Sequence, residues 1–99
     1  MSTTVNNIVF EWDDEKNRIN NLKHNVDFND AAKVFADENR IEWFDALHSD
    51  EEDRYITLGM VDNILHIVYT ERDEAIRLIS ARLANKYERR KYYAREESY

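Results

Sequence analysis

From Arg54 onward three apolar runs follow one another with almost nothing between them: RYITLGMV, ILHIVYT and AIRLISAR, separated by Asp62-Asn63 and by Arg72-Asp73-Glu74. Asp and Asn accept the positive φ that a two-residue hairpin turn requires, so the first junction reads as a hairpin. Three consecutive strands on short turns form an antiparallel meander. A chain with such a block is committed to a sheet, and the remaining segments have to cover it.

Those segments are short. Ile8 to Trp12 (IVFEW) reads as a strand whose inward face carries Ile8, Phe10 and Trp12, preceded by a polar stretch, residues 1–7, expected to fray. Asp13 is placed to cap a helix with Asp14 and Glu15 in its first turn, where the helix dipole favours anions. Ile19 and Leu22 offer a thin apolar stripe through Lys23, and Asn25 stands where a left-handed C-cap residue belongs. Phe28, Ala31, Ala32, Val34 and Phe35 have helical spacing over 28–37, Ile41 to Phe44 is a strand candidate, and DALHSDEED is a polar loop. Asn85 and Glu88 have capping-box spacing and open a helix directly after the last strand. The expected order is β-α-α-β-β-β-β-α. It describes one α+β domain over 1–99: an antiparallel sheet, a meander of about four strands plus an N-terminal strand, with two N-terminal helices and a basic C-terminal helix.

Charge divides the chain sharply. Residues 75–95 carry Arg77, Arg82, Lys86, Arg89, Arg90, Lys91 and Arg95 against Glu88 alone, net +6, inside a chain of net charge -7. One end of the molecule should attract polyanions while the whole repels them. Zero Cys excludes disulfides and thiolate sites, and MSTTVNN has neither the basic start nor the apolar run of a signal peptide, so the expected location is the cytoplasm. No apolar stretch approaches the roughly 20 residues that cross a bilayer. A single Gly and no Pro argue against glycine-rich nucleotide loops. No cofactor is expected. Asp50, Glu51, Glu52 and Asp53 lack the alternating ligand pattern of a calcium loop, and His48 and His66 have no spacing that suggests a metal site, so both histidines read as structural or exposed.

Several phrases in fixed order resemble the BrnT family of toxins, which are RelE-like ribonucleases of type II toxin-antitoxin systems: FEWDDEKNRINNLKHNVDF at 10–28, AAKVF at 31–35, HSDEEDRYITLG at 48–59, VYTERDEAIRLISAR at 68–82 and YERRKYY at 87–93. Asn25 departs from a usual Gly, and Tyr87 and Tyr93 stand where charged residues are commoner. The resemblance implies a RelE-like sheet flanked by helices and a metal-independent endoribonuclease that inhibits translation. It also implies a ribbon-helix-helix antitoxin that neutralises the toxin in a hetero-oligomer, a toxin-antitoxin heterotetramer, and contacts operator DNA on its behalf. Neither a membrane nor direct DNA binding is expected.

Within that reading the catalytic candidates are Arg82, at the strand-to-helix junction, then Arg77, Lys23, His24 and Glu71. In-line attack by a 2'-hydroxyl builds charge on phosphate oxygens, which fixed guanidinium groups stabilise, and a histidine can move the proton. Glu71 could instead pair with Arg77 on the neighbouring strand, Lys23 and His24 could simply complement a helix dipole, and Glu88 is explained by its cap. Arg72, Lys86, Arg89, Arg90 and Tyr92 are candidates for holding RNA, the helix cations serving equally well for an acidic antitoxin arm. An alternative reading is a non-catalytic antitoxin-binding module acting mainly as operon co-repressor. A small DNA-binding protein is the third, with net acidity against it.

Overall fold

The computed structural model describes residues 1–94, so Arg95 of the basic stretch lies outside the described residues. Six strands form one sheet in the order β1-β2-β6-β5-β4-β3, where β1 is Ser2–Val5, β2 Ile8–Glu11, β3 Ile41–Phe44, β4 Tyr55–Val61, β5 Asn63–Arg72 and β6 Ala75–Leu83. The helices are α1 (Asp14–His24), α2 (Phe28–Ala31), which tightens into a 3-10 turn over Ala32–Ala36, and α3 (Lys86–Ala94).

Strands β3 to β6 pair antiparallel in chain order, with Asp62 and Asp73 supplying the positive φ (62° and 54°) at the two tight turns. The expected antiparallel sheet is nevertheless corrected to a mixed one, because β2 lies parallel to β6 through Val9↔Ala75, Phe10↔Ile76 and Glu11↔Arg77. Residues 12–74 intervene between these strands, which frees them from the reversal that a hairpin imposes. The first residues do not fray either. Ser2–Val5 pairs antiparallel with β2 across Asn6 and Asn7, whose φ values of 51° and 67° are those a type I′ turn needs.

Each face of the sheet carries its own core. On one face Phe10, Leu65, Ile67, Tyr69, Leu78 and Ala81 pack against Phe28, Ala31, Ala32, Val34 and Phe35 of α2 and the 3-10 turn. Phe35 sits between Phe10 and Tyr69, with ring centroids 4.8 and 5.1 Å away. This turn presses so closely on β4 that a Cβ at Gly59 would stand 2.3 Å from Val34 Cγ1, which accounts for the chain's single glycine. On the other face Leu58, Ile64, Ala84 and Tyr92 form a second cluster with Ile41 and Trp43. Helix α3 thus covers the β3–β4 side and leaves the β2 side open, where Val9 is 44 % exposed.

Helix α1 corrects the sequence reading. Ile19 and Leu22 are 41 % and 75 % exposed, and the helix buries Asn20 instead. The reason is backbone chemistry. Strand β2 pairs with β6 only as far as Arg77, leaving the later β6 groups without a neighbouring strand on the edge away from β5. Asn20 replaces one: its Oδ1 accepts from the Ala81 N–H at 3.1 Å, and its Nδ2 donates to Ala81 O at 2.8 Å and to Val26 O at 3.0 Å. Beside it Asn17 Oδ1 accepts from Phe28 N–H at 2.9 Å. The inner side of α1 is polar because it meets an open strand edge, whose buried groups must find partners.

Candidate functional site

Arg77 and Arg82 are five residues apart, so in a regular strand they would point to opposite sides of the sheet. They share a side because β6 carries a bulge. Tyr69 pairs with Leu78 while its neighbour Val68 pairs with Ser80, which leaves Ile79 as an extra residue. Before the bulge Thr70 faces Arg77, and after it His66 faces Arg82. Since His66, Val68 and Thr70 alternate regularly along β5, Arg77, Ser80 and Arg82 all project from the partly open face.

Arg82 is clamped from α3. Its Nη1 donates to Glu88 Oε1 at 2.8 Å and its Nη2 to Glu88 Oε2 at 2.9 Å, and Nη1 donates again to Leu83 O at 3.1 Å. Glu88 is held in turn by the capping box: the Asn85 N–H donates to Glu88 Oε1, and Asn85 Oδ1 accepts from the Glu88 N–H. A guanidinium has five N–H groups. The end fork and the second Nη1 hydrogen are occupied, whereas Nε–H and the remaining Nη2–H, the side fork, have no partner among the described residues. With a side chain 34 % exposed, Arg82 can offer that fork to a phosphate, which it fits bidentately.

His66, opposite Arg82 on β5, lies beside this pair. Its Nε2 is 3.6 Å from Glu88 Oε2, and its buried Nδ1 has no hydrogen-bond partner among the described residues. Burial, then the neighbouring Arg82 charge, hold the His66 pKa below its ordinary 6.5, against the opposing pull of Glu88 and Asp45. For Glu88 burial acts upward, but the hydrogen bonds from Arg82 and the Asn85 N–H, with the charges of His66 and Arg82, outweigh it and keep the carboxyl below 4.5. Both folded values are depressed, so the unfolded chain binds more protons and acidification destabilises the fold. The His66 contribution is present above pH 6.5 and lost as pH falls through its folded value; the Glu88 contribution is lost only below 4.5. The unfolding free energy in urea should therefore decline in two stages on acidification. His66→Gln is expected to remove the first stage and keep the second, and an unchanged first stage would show that another group causes it.

Most of the other candidates are arranged around this centre. Arg77 meets Glu11 of β2 at 3.7 Å, and Arg72 meets Glu52 of the acidic loop at 3.5 Å. Lys23 and His24 line a cleft with Lys16, Ile19 and Asn20 against Ile79 and Ser80, so the end of α1 reaches the rim beside Ser80. Lys86, Arg89 and Arg90, at helical spacing, line an open groove along α3 that ends at Tyr93 and Ala94.

Two candidates are placed elsewhere. Glu71 pairs with Ile76 while Thr70 pairs with Arg77, so Glu71 points to the other side of the sheet and the expected Glu71–Arg77 ion pair does not form. Tyr92 is 3 % exposed and donates its hydroxyl to Asp37, which makes it part of the second core; the exposed rings of α3 are Tyr87 and Tyr93. Lys91 lies over the Trp43 ring at 3.9 Å.

His66, read as structural or exposed, is buried, and its place opposite Arg82 was not legible in the sequence. Counting back from the Asp73 turn without a bulge sets Ala81 opposite His66, and only the extra residue brings Arg82 there. Among the described residues no cluster of His, Asp and Glu is placed to hold a metal ion, and no described helix is long and apolar enough to cross a membrane.

Comparison with known proteins gives this arrangement a family. No curated protein matches the chain in sequence. The crystal structure of the Brucella abortus ribonuclease toxin, BrnT, is similar in fold, with a TM-score of 0.60 at 23 % identity over 78 % of this chain and 96 % of that one. The family model described as the ribonuclease toxin, BrnT, of type II toxin-antitoxin systems matches residues 12–88, a span that holds His66, Arg77, Arg82 and Glu88. The chain belongs to the BrnT family of ribonuclease toxins of type II toxin-antitoxin systems.

Proposed function

We propose that the chain is an endoribonuclease that cleaves RNA without a metal ion, by attack of a 2'-hydroxyl on the adjacent phosphodiester, and that it inhibits translation in the cytoplasm until a ribbon-helix-helix antitoxin binds it. The observation that carries this reading is the bulge at Ile79, which brings Arg77 and Arg82 to one partly open sheet face. A phosphodiester lying there would meet the side fork of Arg82, with Arg77 further along the strand, and both would stabilise the charge that builds on the non-bridging oxygens. Lys23 and His24, in the cleft beside Ser80, are the groups within reach of that face for proton transfer; His66 is too enclosed to touch RNA and serves as a neutral support for Arg82. Lys86, Arg89 and Arg90 extend the positive track along α3 and hold flanking phosphates, with Arg72 at the far end of the face.

The antitoxin would compete for the same cations with an acidic arm, in a toxin-antitoxin heterotetramer that reaches operator DNA through the antitoxin alone. A second reading, a non-catalytic co-repressor module, is favoured by one observation: each arginine of the face already has a carboxylate, Glu88 for Arg82 and Glu11 for Arg77. The two are separated by incubating purified chain with RNA in EDTA and mapping the ends. Cleavage leaving 2',3'-cyclic or 3'-phosphate ends is expected. RNA left intact, by a chain that still binds its antitoxin, decides for the module.

A further inference from the structure

We infer that Glu88 is the positioning residue of this site: fixed by the cap of α3, its carboxylate turns the Arg82 guanidinium so that the side fork faces the open sheet surface. The inference rests on the ribonuclease reading and deepens it. A helix cap needs only one oxygen of Glu88, the Oε1 that accepts from the Asn85 N–H at 2.9 Å. Here the carboxylate does more. The same Oε1 takes Arg82 Nη1, while Oε2, which the cap leaves spare, takes Nη2 at 2.9 Å and lies 3.6 Å from His66 Nε2.

The clamp has a geometric consequence. Two parallel N–H···O bonds put the carboxylate and the guanidinium nearly in one plane, and the bond from Nη1 to Leu83 O fixes the third corner. Of the five donors only Nε–H and one Nη2–H remain, side by side on one edge. An arginine free to rotate would present a phosphate with any of its edges and lose entropy on settling. Arg82 presents a single edge already set. The groups that face this cluster from the packed elements are His66 of β5, Arg82 of β6, Glu88 of α3 and Asp45 after β3, with Leu58 of β4 as the apolar neighbour across from His66. Glu88 is the carboxylate that bonds Arg82, and its side chain is only 13 % exposed, so water competes weakly for it.

The test uses the full chain and separates clamp from cap. Glu88→Gln keeps an oxygen for the Asn85 N–H but loses the charge and the two-oxygen grip. Asn85→Ala removes the other half of the cap, the side-chain acceptor for the Glu88 N–H, and leaves the carboxylate intact. In nitrogen-detected NMR the Arg82 Nη resonances should be resolved by restricted rotation in the parent and in Asn85→Ala, and averaged in Glu88→Gln. RNA cleavage should fall roughly 100-fold in kcat in Glu88→Gln, with a smaller change in KM, as misplacement of a transition-state contact does. Asn85→Ala should stay within about threefold of the parent at a temperature where both are folded.

Averaged Arg82 resonances with undiminished cleavage overturn the inference, as does an equal loss in Asn85→Ala, which would make the cap the only role. If Glu88→Gln fails to fold, Glu88→Asp replaces it: the charge and cap persist but the grip shortens by one methylene, and the kcat loss is still expected. Should the parent cleave no RNA, the ribonuclease reading falls by itself, and the NMR comparison still decides whether Glu88 holds Arg82.

Discussion

Arg82→Ala is expected to lower RNA cleavage by about 10²- to 10³-fold, the usual loss when one preset donor to a developing oxyanion is removed, and to relieve growth arrest on induction without the antitoxin. Arg82→Lys should recover little. A lysine ammonium is a point charge that cannot fill the two-oxygen grip of Glu88 and also present a second fork to phosphate. Arg77→Ala should cost less, since its contact with Glu11 is a single 3.7 Å approach and leaves it less well oriented. The reading fails if Arg82→Ala and the parent cleave alike, or if the variant loses activity only because it unfolds. Thermal unfolding measured beside the cleavage assay distinguishes these cases, which matters because the Glu88 carboxylate loses its main partner in the variant.

The second large effect falls on stability. Asn20→Ala is expected to cost about 3 kcal/mol, because Ala81 N–H, Ala81 C=O and Val26 C=O lose a buried partner together. For a chain of this size that corresponds to a fall in Tm of roughly 12–24 °C. Asn20→Asp should be at least as damaging near neutral pH, since a carboxylate keeps the acceptor for the Ala81 N–H but turns an oxygen toward two carbonyls. That variant should regain stability as the pH is lowered and the carboxyl gains a donor proton. An unfolding free energy for Asn20→Ala within about 0.5 kcal/mol of the parent, the ordinary range of a surface change, would mean that water takes over these groups at no cost.

Where local chemistry decides, residues and structure agree closely. Asp13 accepts from the Glu15 and Lys16 N–H groups at the start of α1, Asn25 takes the left-handed conformation at its end with φ 56°, and Asn85 and Glu88 exchange the two bonds of the capping box. Each is a matter of two to four neighbouring residues. The helix expected over 28–37 is present as α2 and the 3-10 turn, tightened where the turn presses onto Gly59. Ile19 and Leu22, read as an inward stripe, point outward because α1 meets a strand edge and so buries an amide; periodicity alone assumes that a helix packs on a face. Glu71 and Tyr92 were candidates by residue type, and their placement, one on the far side of the sheet and the other in the second core, depends on register and packing.

By itself the sequence determined the strands from Ile8 onward, the tight turns of the meander, the caps and the gathering of positive charge after residue 75, because hydrogen bonding over a few residues and the period of apolar side chains are written along the chain. Only the tertiary structure decided that β2 runs parallel to β6, that Asn20 stands in for a missing strand, and that Arg82 meets His66 and Glu88. These depend on one extra residue in β6 and on contacts between distant segments. A shift of a single position reverses which side of the sheet a side chain occupies, and nothing in the local residues announces that shift.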